Sequence, residues 1–103
     1  MKAQIVIPEE RIQDFCRRWR ITEFALFGSV LREGFAPDSD IDVLVQFSPD
    51  AKHSLFNMVH MEDELRELFG RDVDLVSRRG IESSRNAIRR QSILDSAEVI
   101  YAA

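Results

Sequence analysis

Residues 40–47 alternate in a way that suits a sheet strand and little else. Ile41, Val43, Val45 and Phe47 fall on one face, and Asp40, Asp42, Leu44 and Gln46 on the other, because successive strand side chains point oppositely. The apolar row requires a packed layer over it. The opposite row opens with two carboxylates roughly 7 Å apart along the strand. Carboxylates that close repel one another and gain nothing from facing an apolar core. The chain is therefore constrained to a sheet with one covered side and an acid-bearing end on the other.

The remaining pattern supplies the partners for such a strand. Residues 2–7 are short and β-like. Pro8-Glu9-Glu10 opens a helix, with proline in the first turn and acids near the positive dipole end. Ile12, Phe15, Cys16 and Trp19 then recur at helical spacing to about Arg20. Residues 21–27 read as a strand ending at Gly28, residues 29–33 as a short helix closed by Gly34, and residues 36–39 as a turn. From Ser54 to Phe69, Leu55, Met58, Val59, Glu62, Leu65 and Phe69 approximate a helix stripe stopped by Gly70. Residues 72–77 suggest a strand, 82–92 a helix and 98–101 a short final strand. The expected fold is α/β (α+β): a mixed β-sheet with helices packed mainly on one face, in one domain over residues 1–103.

Composition limits the function classes. A net charge of −4 over 103 residues argues against a dedicated nucleic-acid binder, whose affinity rests on clustered Lys and Arg. Basic charge is uneven, however. Arg71, Arg78, Arg79, Arg85, Arg89 and Arg90 crowd one stretch opposed by Asp72, Asp74 and Glu82, a pattern open to a solvated helix face, an anionic ligand or an acidic partner. The single Cys16 excludes an internal disulfide and is placed at a helix core position. No segment approaches the length of an apolar membrane span or a signal peptide. A soluble, reducing, cytoplasmic setting is expected.

The chemistry lies in a conjunction. A Gly-Ser pair is a common turn, and a solvated sheet face explains many Asp-x-Asp pairs. Together, Gly28-Ser29 at a strand end and, after ten intervening residues, Asp40-Ile41-Asp42 suit a phosphate and metal site. Glycine lets backbone approach a ligand closely, and the following helix start offers N–H groups to phosphate. Magnesium takes one or two carboxylates together with substrate phosphates. Asp74, mid-strand between Val73 and Leu75, is the candidate third ligand; Asp72 shares its face but sits at the strand edge, where solvent explains it.

Leu26-Phe27-Gly28-Ser29, ten residues, then Asp40-Ile41-Asp42 resembles the motif of the DNA polymerase β-like nucleotidyltransferases, and more narrowly the minimal nucleotidyltransferases of MNT/HEPN toxin–antitoxin pairs. Arg32, Pro37-Asp38-Ser39, Ser54-Leu55-Phe56 and residues 72–76 also sit where that family places similar residues. The resemblance implies transfer of AMP from ATP to a hydroxyl, with magnesium, two ions being expected, and ATP as cosubstrate. Asp40, Asp42 and Asp74 would be catalytic residues and metal ligands, with Asp74 poised to activate the acceptor. Gly28, Ser29, Arg32 and Ser39 would bind the nucleotide. The implied acceptor is a tyrosine on a HEPN ribonuclease partner.

Neither His53 nor His60 follows an arginine at the Arg-x4–6-His spacing of a HEPN ribonuclease, so the chain resembles the antitoxin half. No large extra domain for gripping nucleic acid or an antibiotic is expected, which leaves acceptor choice to a partner or a dimer mate. Two other functions fit the same residues: a non-catalytic antitoxin acting by occlusion, and the catalytic subunit of a small-molecule nucleotidyltransferase.

Overall fold

The computed structural model describes residues 7–28 and 40–103. The strand expected over residues 2–7 falls almost wholly outside them. The helix at 29–33, the turn at 36–39, and Ser29, Arg32 and Ser39 do so entirely. Among the described residues four strands, β1 (Ile21–Phe27), β2 (Ile41–Phe47), β3 (Val73–Ser77) and β4 (Glu98–Ala102), form one sheet in the order β3-β2-β1-β4. β1 is antiparallel to both β2 and β4, whereas β2 and β3 are parallel. A parallel pair needs a crossover, and α2 (Leu55–Phe69) provides it. The other helices are α1 (Glu9–Arg18), α3 (Arg78–Glu82) and α4 (Ala87–Ser96).

The larger core lies between the sheet and α1 with α2. Ile12, Phe15 and Cys16 of α1 and Met61 and Leu65 of α2 meet Phe24, Leu26, Ile41, Val43 and Val45. Phe15 and Phe24 cross edge to face with ring centres 6.3 Å apart, an arrangement aromatic pairs favour. Trp19 is half-buried beside this core and donates its indole N–H to Glu64 Oε1 at 3.2 Å. Cys16 is wholly buried, and burial pushes its thiol up to about 12. The mixed sheet and its main helical layer agree with the fold expected from the sequence.

The other sheet face is not bare. Ala25, Phe27 and Leu44 form a second, smaller cluster with Ile81 of α3 and Ile93 of α4. Leu44, the apolar residue among the acids of its row, is therefore covered too. The helix expected over 82–92 is corrected: Glu82 ends α3, residues 83–86 are not helical, and α4 starts at Ala87. Ser77 accepts from the Gly80 N–H and Asn86 from the Arg89 N–H, so each segment has its own N-cap.

In α2 the expected stripe is corrected. Met61 and Leu65 carry the buried face, while Leu55 and Val59 are exposed. Glu62, an acid within that stripe, is half-buried and its Oε1 accepts the Leu75 N–H at 3.3 Å. Among the described residues β3 lies at a sheet edge, where backbone donors lack a neighbouring strand, and Glu62 satisfies one of them. Ser54 and Asn57 form a reciprocal capping box at the start of α2, and Gly70 ends it in the left-handed conformation at φ 74°, a common helix stop.

Candidate functional site

The acids converge through sheet register. Asp42 of β2 stands directly opposite Asp74 of β3 in the parallel pairing, and opposite Phe27 of β1 on its other side. Asp40 precedes β2 on the same strand face. The Ile41 N–H donates to the Asp72 carbonyl at 2.9 Å, which fixes the pairing at the mouth of the two strands. Val73 and Leu75 enter the larger core, so alternation puts Asp74 on the opposite face with Asp42. Asp72 is exposed just before β3.

Gly28 follows β1 at the same end of the sheet, with φ 76°. A Cβ there would overlap Asp42 Oδ2 and lie 3.2 Å from its Cγ. Both the backbone conformation and the space require glycine. The absent side chain leaves the Asp42 carboxylate a clear position against the β1 terminus.

Asp42 is half-buried, Asp40 and Asp74 exposed. Burial raises the Asp42 carboxyl above the usual carboxylate range, and the charges of Asp74 and Asp40 raise it further; Arg89 opposes them. An anionic group held among other anions favours a cation. As the side chains stand, no group of three or more His, Cys, Asp or Glu among the described residues is arranged to hold a metal ion. The donor chemistry nonetheless fits magnesium: hard carboxylate oxygens on a shared strand face, with mutual repulsion for a divalent ion to relieve.

Arg89 is the residue sequence reasoning left undistinguished among six arginines. It lies in the first turn of α4, one turn before Ile93, which packs on Phe27 and Leu44. That i,i+4 relation to an apolar anchor was the available signal. Ser29, Arg32 and Ser39 lie outside the described residues. His53 is not near the acids: its ring packs on Phe47 at 4.8 Å and its Nε2 lies 2.7 Å from the Trp19 carbonyl. His60 is exposed on α2.

A glycine-ended strand beside an acid pair in a mixed sheet defines the nucleotidyltransferase class, and the nucleotidyltransferase domain family matches residues 9–100. The chain belongs to that family. Its resemblance to the minimal members is direct: a solved structure of a candidate minimal nucleotidyltransferase superposes with a TM-score of 0.67 at 31% identity, covering 87% of this chain and 86% of the other. The protein adenylyltransferase MntA of Thermococcus cleftensis is 36% identical over 66 residues, 64% of this chain and 65% of the relative. The match thus spans a little under two thirds of that relative's length. A structure of the tri-AMPylated Shewanella oneidensis HEPN toxin in complex with its MNT antitoxin shares the fold, with a TM-score of 0.61 at 20% identity, covering 92% of this chain and 70% of that one. No helix among the described residues is long and apolar enough to cross a membrane.

Proposed function

We propose that the chain is a cytoplasmic, magnesium-dependent adenylyltransferase that moves AMP from ATP to a tyrosine hydroxyl on a HEPN ribonuclease partner. The observation that carries this reading is the register of Asp42 against Asp74, with Gly28 cleared of any side chain beside them. Names of relatives support the class of reaction: one is a protein adenylyltransferase and another structure holds an AMPylated HEPN toxin with its antitoxin.

Asp40, Asp42 and Asp74 would hold the magnesium. Bound there, it would screen the phosphate charge and favour departure of pyrophosphate. Gly28 at the β1 terminus would receive the triphosphate; for Ser29, Arg32 and Ser39 the nucleotide-binding role rests on their resemblance to the family motif. The acceptor oxygen attacks the α-phosphorus; its P–O bond forms as the bond to pyrophosphate breaks. Asp74, exposed at the strand mouth, takes the hydroxyl proton. Asp42, half-buried and paired across to both β1 and β3, serves to fix the geometry.

The test uses purified protein, ATP, magnesium and the HEPN partner, with AMP addition read by intact mass. The Asp40→Asn/Asp42→Asn double variant is expected to lose roughly a hundredfold or more of the transfer rate. Undiminished transfer in that variant would remove the assignment. Neutralisation of the partner without any AMP addition would replace it with occlusion.

A further inference from the structure

At the carboxyl ends of β2 and β3, roughly 17 Å along the strand from Asp42, lies a groove of about 690 Å³. Phe47 and Met58 form its apolar floor, and Leu55 of the first α2 turn stands at its lip. Leu55 is 82% exposed and its neighbour Phe56 80%. Two large apolar side chains side by side on a helix start mark a surface that a partner covers more often than solvent does.

The rim is basic. Lys52, Arg78 and Arg79 line it, with Glu82 as the acid. Arg78 is engaged by Glu23 at 3.6 Å and Glu82 at 3.9 Å. The Lys52 and Arg79 side chains have no ion-pair partner among the described residues. On a chain of net charge −4, two unopposed cations beside an apolar floor favour an acidic partner at this end. A small anion is a poor fit. No charged or polar side chain is buried among the described residues, so nothing inside the groove would grip one. The exposed Leu55 also carries apolar surface from the groove out to solvent.

We infer that this groove docks an amphipathic, acidic segment of the acceptor protein, its apolar side chains on Phe47, Met58 and Leu55 and its carboxylates on Lys52 and Arg79. This rests on the reading that the acceptor is a protein. Docking remote from the acids raises the effective concentration of the target hydroxyl while leaving the nucleotide end unobstructed. Selection of the target then belongs to one end of the sheet and chemistry to the other.

Calorimetric titration of the HEPN partner into wild type, Lys52→Glu/Arg79→Glu and Leu55→Ala/Phe56→Ala tests it. AMP-PNP binding and thermal melting serve as controls for the acid site and the fold. Both variants are expected to bind the partner at least tenfold more weakly, with AMP-PNP affinity and melting temperature unchanged. Partner affinity within twofold of wild type in both variants overturns the docking groove, as does a wild-type chain that does not bind the partner. A fluorescent single-stranded RNA that binds wild type and is lost in the charge-reversed variant, with partner affinity intact, assigns the rim to nucleic acid and also overturns it. The Asp40→Asn/Asp42→Asn variant separates the two proposals: transfer surviving there defeats the adenylyltransferase reading, whereas the titrations still decide the groove.

Discussion

Gly28 and Gly70 have nearly the same backbone angle and opposite surroundings. At Gly70 nothing lies within 4 Å of an added Cβ, so Gly70→Ala meets only the left-handed strain, roughly 1 kcal/mol. Its expected signature is a small fall in the urea midpoint with nucleotide binding intact. Gly28→Ala adds a collision with the Asp42 carboxylate to the same strain. AMP-PNP affinity should fall at least tenfold, because either β1 or Asp42 must move. Equal effects of the two substitutions on binding would show that the Gly28 clearance has no role at the site. The importance of Gly28 was legible in the sequence as a strand-end glycine that lets backbone approach a ligand closely. Its contact with Asp42 was not, since the two meet only through antiparallel pairing across β1 and β2.

Among the elements, α2 shows how far periodicity reaches. Its ends were legible: Ser54 and Gly70 are a cap and a stop by local chemistry, and both act as such. Its buried face was only partly legible. A stripe through Leu55 and Val59 satisfies helical spacing, yet α2 presents Met61 and Leu65 to the sheet and leaves Leu55, Phe56 and Val59 exposed. Spacing along one helix does not reveal where the covering element ends. Glu62 illustrates the same gap, because its partner is a backbone donor on a sheet edge. With so exposed a first turn, α2 depends on its cap. Ser54→Ala should cost about 1 kcal/mol, measured by denaturant unfolding, with amide exchange quickening first over residues 55–58. The split between α3 and α4 escaped notice for a related reason: Ser77 and Asn86 are ordinary polar residues until their side chains are seen to accept helix N–H groups.

For the whole molecule, the acid end is a source of instability that the two cores must offset. The Asp42 carboxyl is raised by burial and by Asp74 and Asp40. A carboxyl whose folded-state affinity for protons exceeds its unfolded value favours folding when protonated, and that contribution is lost as pH rises through the folded-state value. At neutral pH the ionised group therefore works against the fold. Asp42→Asn should raise the melting temperature at pH 7, and the gain over wild type should shrink as pH falls below the carboxylate range, while AMP transfer is lost. A lower melting temperature for Asp42→Asn at pH 7 would mean that the carboxylate has a compensating partner. Strand phase made the acids and the main core visible in the sequence, because both follow a period of two. The second layer, with Ile81, Ile93 and Arg89, depends on where two short helices land and was hidden.

The parallel pairing of β2 with β3 also sets an order of events during synthesis. Asp42 emerges from the ribosome with β2, but the residue it must face arrives only after the whole of α2 has been made. A nascent chain that ends within α2 carries the Gly28 turn and the first two acids, yet has no strand to bring the third beside them. On the proposed mechanism, AMP transfer therefore waits for β3 to pair with β2 and set Asp74 opposite Asp42.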